Sequence, residues 1–221
     1  REEEGILKRY SDITQVDMSQ GNWLVLSSAN YFLDDAKDLC EIQGWYYQYK
    51  GRNSIPLKLL LALNNWEAWR KDAQLNHLEI KNIYEYLGSH VLPGFQKGKT
   101  LHSDTKYLMR DCRAEHGLIT DSVWYEAFEG LDPMTETYIR NMRANGEMIN
   151  KNPRIIMSTI HGAKGGEADK VLLMQDITGA ALETFSHDPD ELHRLFYTGA
   201  TRAKRELHVL DPKDFDRAYI L

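Results

Sequence analysis

Two short apolar runs, Ile155-Ile156-Met157 and Val171-Leu172-Leu173-Met174, bracket the stretch Ser158 to Val171, STIHGAKGGEADKV. Each run ends in polar residues, as the buried strands of an α/β domain do. Between them stand a hydroxyl, an imidazole, an ammonium, a glycine pair and two carboxylates. A loop leaving a buried strand is where open α/β sheets place ligands. A second dense stretch follows, Glu191 to Leu210, ELHRLFYTGATRAKRELHVL, which reads as a helix with a basic cluster and then a strand. The two stretches read as parts of one site.

The rest of the chain fits the same architecture. Residues 1–21 are polar and without clear periodicity, and read as a leading segment or linker. Trp23 to Leu26 is a strand, and Asn30 is placed to cap a helix. Phe32, Ala36, Leu39 and Cys40 share one face of that helix, Gly44 ends it, and the aromatic Trp45 to Tyr49 is a second strand. From Pro56 the pattern turns helical. Leu57, Leu60, Leu61, Asn64 and Trp69 form one stripe; Ile80, Ile83, Tyr84 and Leu87 form another, closed by Gly88. Asp121 and Asp132-Pro133 look like further helix starts. Then come strand 154–159, loop 160–169, strand 170–175, a polar loop, helix 188–203 and strand 206–210. Strands alternating with helices predict an α/β fold with a mostly parallel sheet. An all-helical subdomain, 70–150, is inserted between the halves 22–69 and 151–221.

Composition excludes some classes. With 42% apolar residues, 27% charged residues and a net charge of -6 over 221 residues, the chain buries a real core. It is not a protein whose whole surface grips nucleic acid, although a local basic patch is compatible with that charge. The two cysteines, Cys40 and Cys112, lie far apart in helix-like contexts and fit a reducing, cytoplasmic setting without a disulfide framework or metal site. No run approaches a membrane span. The chain begins at Arg1, which suggests a piece of a longer polypeptide.

One motif has to be set aside. Gly94 to Thr100, GFQKGKT, ends like a phosphate-binding loop of pattern G-x-x-x-x-G-K-[ST]. The first glycine falls on Pro93, which has no N–H to offer a phosphate, and the preceding Ile83 to Leu87 reads as helix where a strand is required. The segment reads as a solvated basic loop. Asp176, after an apolar strand, resembles a Mg²⁺-binding carboxylate, but without a phosphate loop it reads as a strand-end cap or a solvated group.

The dense stretches carry better chemistry. Arg202 follows the small residues Thr198-Gly199-Ala200-Thr201 on a helix that should pack closely, and its planar fork matches phosphate oxygens. Arg194, Lys204 and Arg205 add charge nearby; for Arg194 and Arg205 a solvated helix face with salt bridges is the favoured reading. Glu167 can accept hydrogen bonds from ribose hydroxyls, or serve as a helix N-terminal carboxylate. Thr159 and His161 can contact a phosphate backbone. Lys164 can neutralise phosphate or pin the loop.

These residues closely resemble the fifth and sixth signature motifs of the UvrD/Rep/PcrA-like superfamily 1 DNA helicases. The patterns run roughly T-x-H-x-A-K-G-x-E, matched at Thr159, His161, Ala163, Lys164, Gly165 and Glu167, and R-x-L-x-Y-x-x-x-T-R-A-[KR], which the stretch Arg194, Leu195, Phe196, Tyr197, Thr201, Arg202, Ala203 and Lys204 resembles, with the Arg one place later than the pattern has it. Trp23 to Asn30 is similar to the fourth motif, and Lys50-Gly51-Arg52 to the stretch after it. The family's usual Tyr-Arg is Ser27-Ser28 here, and the hydrophobic positions of its fifth-motif loop are Gly166 and Ala168.

The resemblance implies the second RecA-like lobe of an ATP-dependent, 3′→5′ DNA translocase, its helical subdomain inserted between the fourth and fifth motifs. It implies Arg202 as the arginine finger, Glu167 and Gly165 at the nucleotide, and Thr159, His161, Lys164 and Asn30 at single-stranded DNA. ATP and Mg²⁺ are the implied cofactors. The Mg²⁺ ligands and phosphate loop belong to the N-terminal RecA-like lobe of the same polypeptide, so this piece alone is expected to lack ATPase activity. The alternatives are a non-catalytic helicase-like binding module and, on the strength of GFQKGKT alone, a self-contained NTPase. Pathway and oligomeric state stay open.

Overall fold

The computed structural model describes residues 4–147, 152–163 and 165–221. In chain order the elements are β1 (Ile6–Tyr10), β2 (Trp23–Ser27), α1 (Asp34–Gln43), β3 (Tyr47–Tyr49), β4 (Arg52–Asn53), α2 (Leu57–Trp69), β5 (Leu75–Asn76), α3 (His77–Tyr84), β6 (Lys106–Tyr107), α4 (Met109–Glu115), α5 (Trp124–Ala127), α6 (Pro133–Ala144), β7 (Ile155–Thr159), β8 (Ala168–Met174), α7 (Gly179–His187), α8 (Pro189–Ala200) and β9 (Ala203–Leu210). The expected α/β fold is present as a seven-stranded sheet in the order β1-β9-β8-β2-β7-β3-β4. Every pairing in it is parallel except β3 with β4.

Two compact units divide the chain: Arg1–Ser54 with Arg140–Leu221, and Ile55–Ile139. The first holds the sheet. Register gives each strand two faces: Leu24 stands beside Ile156 and Val171, and Leu26 beside Ser158 and Leu173. On that face Leu24, Leu26, Val171 and Leu173 form one core with Ile160, Ala163, Leu192 and Phe196. Burying each large apolar side chain of this kind stabilises by roughly 1.5–3 kcal/mol. Gly199 lets α8 approach: a Cβ there would stand 3.1 Å from Leu173 Cδ1 and 3.4 Å from Ile160 Cγ1.

The second unit is mainly helical. Buried Leu60, Leu63, Trp66, Ile80 and Ile83 supply its centre. The Trp69 indole N–H donates to the Tyr107 carbonyl at 3.0 Å and that of Trp66 to the Ser122 carbonyl at 3.1 Å. Asn76 opens α3 with a capping box through Glu79, and Asp132 opens α6 by accepting from Met134 N and Thr135 N. The unit also contains a two-residue antiparallel ladder, β5 with β6. That ladder is too short to leave an alternating pattern.

Several local expectations need correction. Residues 1–21, read as a leading segment, contain β1, which extends the sheet beside β9. As an edge strand it exposes Ile6 and Leu7, so it shows no alternation. Asn30 caps nothing: it lies inside a 3-10 turn, Asn30–Leu33, preceded by Ala29, and α1 starts at Asp34. The polar loop expected before residue 188 contains α7, opened by Thr178, whose hydroxyl accepts from Ala181 N at 3.0 Å. Helix α8 stops at Ala200, leaving Arg202 in the turn before β9. Lys50 and Gly51, with φ of 50° and 73°, make a tight turn between β3 and β4, the positive-φ pair such a hairpin requires.

Candidate functional site

The Ser158 to Val171 loop is a crossover between two parallel strands lying on either side of β2. It is built by short bonds back onto the ends of β7 and β2. Ala163 N donates to the Thr159 carbonyl at 3.0 Å, Gly162 N to Thr159 Oγ1 at 3.1 Å, and Ile160 N to the Ser27 carbonyl at 2.9 Å. Ile160 and Ala163 turn into the core, which leaves His161 and Gly162 facing out. Gly166 N then donates to the Ala163 carbonyl at 2.8 Å, and Gly165 takes a φ of +85°. Gly162 is sterically fixed: a Cβ would stand 2.7 Å from Ser158 Oγ and 3.1 Å from Thr159 Oγ1. Lys164 lies outside the described residues.

The expected site residues fall on opposite edges of the sheet. Thr159 ends β7 level with Ser27, so Thr159 and His161 lie at the carboxyl edge with Ser28 and the Asn30 turn. Glu167 and Arg202 lie at the amino edge. Ala168 pairs with Ala203, and Ala168 N donates to the Arg202 carbonyl at 3.2 Å. Glu167 and Arg202, each one residue ahead of that pair, are therefore brought side by side. Seven residues of β8 separate the edges, roughly 20 Å at the usual strand rise. One crossover thus reaches from the first pair to the second.

Arg202 is half-buried and held. Its Nε donates to the Thr198 carbonyl at 3.1 Å and its backbone N to Gly199 O at 3.2 Å. A guanidinium bonded to the Thr198 carbonyl, in the last turn of α8, also complements the negative end of the helix dipole. Glu167 is not at a helix N-terminus: it precedes β8, half its side chain is in solvent, and Lys204 Nζ stands 3.8 Å from Oε2. Arg194 follows the structural reading, 3.6 Å from Asp190 with 78% of its side chain exposed.

The departures from the family pattern have local jobs. Ser27 Oγ donates to the Ala29 carbonyl at 2.7 Å and Ser28 Oγ to the Asp176 carbonyl at 2.8 Å, so both hydroxyls tie down the end of β2. The Asp176 carboxylate accepts from Lys213 N at 2.9 Å, and burial holds its pKa above the ordinary value, as a strand-end cap. Among the described residues no cluster of His, Cys, Asp and Glu is able to hold a metal. Residues Gln96–Gly98 form a 3-10 turn following helix α3, so GFQKGKT lacks the strand that a phosphate loop needs.

Two cavities open on the α8 face and the edges of the sheet. One, of about 530 Å³, runs beneath the crossover and is lined by Gln48, Lys50, Arg154, Ile156, Ser158 and Glu167. The other, of about 230 Å³, lies at the carboxyl edge beside Ser28 and His161.

Sequence reasoning missed a polar network on the opposite face. Buried His208 bonds Tyr10 Oη through Nδ1 at 3.0 Å and Glu206 Oε2 through Nε2 at 3.1 Å; Lys8 and Lys170 flank Glu206 at 3.4 and 3.8 Å. The signal was present in ELHVL, where polar Glu206 and His208 stand two apart and so share a face.

The family model described as UvrD-like helicase C-terminal domain matches residues 129–211. The match covers both dense stretches and bears out the resemblance read from them; it supports the chain as a UvrD-like helicase C-terminal fragment. No curated protein matches the chain. No helix among the described residues is long and apolar enough to cross a membrane.

Proposed function

We propose that this chain is the second RecA-like lobe of an ATP-dependent DNA helicase, acting with an N-terminal lobe that carries the phosphate loop and the Mg²⁺ ligands. The observation that supports it best is the Ala168–Ala203 register, which sets Glu167 beside Arg202 at one end of the crossover that carries Thr159 and His161 at the other. The donor set fits one side of a nucleotide: a guanidinium for phosphate oxygens, a carboxylate for ribose hydroxyls, and Gly165 where backbone approaches closely. ATP, when bound, supplies the phosphoryl group whose transfer drives the motor. Arg202 stabilises charge on that group, and Thr159, His161, Lys164 and Asn30 hold the strand backbone. Lobe closure that repositions Glu167 and Arg202 moves the far end of the same crossover, a differential-contact account of coupling. Translocation runs 3′→5′, tested by comparing unwinding of duplexes with 3′ and 5′ tails. The buried free thiols Cys40 and Cys112, both pushed up in pKa by burial, are unreactive and suit a reducing cytoplasm.

The decisive experiment is Arg202→Ala in the two-lobed polypeptide. DNA-stimulated ATP hydrolysis should fall by ~10³–10⁵, the usual worth of an arginine finger, with the thermal midpoint little changed. A rate near that of the parent sinks the assignment. The second reading, a lobe that binds nucleic acid or protein without a motor, is favoured by Ser27 and Ser28, whose hydroxyls close their own strand end. It predicts strand binding unaffected by ATP and no effect of Arg202→Ala.

A further inference from the structure

The carboxyl-edge cavity lies where the strand order turns: the chain runs from β2 to β3 in one direction across the sheet and from β8 to β9 in the other. Open α/β sheets bind ligands outside the carboxyl ends of their strands at such a reversal. At about 230 Å³ it is smaller than the roughly 300–1,000 Å³ of pockets for drug-sized ligands, so it takes one ring system rather than a whole nucleotide.

Its lining is specific. Ala181 of α7 and Leu192 and Leu195 of α8 make an apolar wall. Ser28, Thr178 and Glu191 supply the polar groups, with His161 at the crossover end. Thr178 Oγ1 already accepts from Ala181 N, so its O–H is left to donate. Ser28 Oγ already donates to the Asp176 carbonyl, so its lone pairs are left to accept. Glu191 has no ion-pair or hydrogen-bond partner among the described residues. A carboxylate on the rim repels phosphate, and the apolar wall offers phosphate no donor. A flat heterocycle with an amine donor and a ring acceptor meets all of these groups at once.

We propose that this cavity seats one unstacked base of the bound single strand, with the base's exocyclic amine turned to Glu191, while Thr159 and His161 hold the backbone outside. A carboxylate accepting from the cytosine amine is a known base contact, and thymine has no such amine. This rests on the strand-binding reading above and adds to it a base that is read.

Fluorescence anisotropy with short oligodeoxycytidine, oligothymidine and all-abasic strands tests it on this chain. The cytosine strand should bind about ten-fold more tightly than the abasic strand, the usual order for one sequestered base. It should also bind a few-fold more tightly than thymine. Glu191→Ala should abolish the cytosine-over-thymine preference, and Ala181→Leu, which fills the cavity from α7, should bring the cytosine strand down to the abasic level. Abasic and cytosine strands binding alike would overturn the base pocket while leaving strand binding in place, as would a preference untouched by both variants. Failure to bind any strand would remove the strand-binding reading and the pocket with it.

Discussion

Two glycine-lysine loops in this chain look alike on paper and differ in what their scaffolds make of them. Gly98-Lys99-Thr100 follows helix α3 and a 3-10 turn; Gly98, with φ +58°, is buried, and a Cβ there would stand 2.8 Å from both Leu101 Cδ1 and Lys81 Cγ. The loop's lysines, Lys97 and Lys99, stay in solvent while its buried glycine serves packing. Gly162 to Gly166 instead links two parallel strands of the main sheet, pinned by Ile160 and Ala163, with its backbone bonded to the end of β7. Phosphate chemistry comes from backbone N–H groups and side chains delivered at a strand end. The same residue types between helices do not provide it.

The widest separation between the loops is in turnover. In the two-lobed polypeptide, Arg202→Ala at the end of the strand-linked site should remove orders of magnitude of ATP hydrolysis, while Lys99→Ala in the helix-linked loop should leave it unchanged. Turnover that instead collapses with Lys99→Ala would make GFQKGKT a working phosphate loop and reverse the comparison.

The next effect is in stability. Gly98→Ala forces a positive φ on a residue with a Cβ and pushes it against two side chains, so unfolding free energy should drop by about 1–3 kcal/mol in denaturant titration. Strand affinity should not move. Gly162→Ala should show the opposite pattern: its Cβ meets Ser158 Oγ, tilting the crossover, and strand affinity should fall about five-fold with a smaller loss of stability. Ser158→Ala removes that oxygen, so the double variant Ser158→Ala/Gly162→Ala should recover most of the affinity. No recovery would mean that the glycine acts through something other than this contact.

What could be read beforehand follows the same division. The strand-linked loop was legible because two apolar runs, a polar centre and small residues of α8 all agree, and Gly199 does pack against Leu173 and Ile160. The sheet was legible from its buried strands. The edge strand β1 was not, because with Ile6 and Leu7 in solvent it has no buried face to pattern. Helix α7 was hidden behind a glycine at its first position, although Thr178 ahead of Ala180-Ala181-Leu182 is a capping signal. The placement of Glu167 and Arg202 at one edge and Thr159 and His161 at the other depends on strand register, which no motif spacing encodes. The sequence places Arg202 on a helix, but it lies two residues beyond one, since α8 ends at Ala200 and the chain enters β9 at Ala203.

The smallest expected effect concerns the scaffold beneath the strand-linked loop, and it sets two histidines apart. His161 is exposed on the crossover; His208 is buried between β1, β2 and β8 on the other face, 4.6 Å from the Trp23 ring. Burial lowers the pKa of His208 below its ordinary 6.5, against the opposing pull of Glu206. The groups facing it are Tyr10, Glu206, Lys8 and Lys170. For Glu206, burial pushes upward, but the bond from His208 and the ammonium groups of Lys170 and Lys8 leave its pKa below the ordinary 4.5. Both groups therefore take up protons more readily in the unfolded chain than in the folded one. Their contribution to stability is complete above the unfolded values and is lost as pH falls, first for His208 below about 6.5 and then for Glu206 below about 4.5. Asp176, raised by burial, acts in the opposite sense: its contribution is complete below its ordinary 3.8 and fades as pH rises through its folded value. The thermal midpoint should fall by a few degrees between pH 7 and pH 5, and His208→Gln should flatten that slope where His161→Gln should not. A midpoint that stays level from pH 7 to pH 5 in the parent chain would mean that His208 is not held neutral, and that the link from β1 through Tyr10 to the sheet does not depend on its protonation.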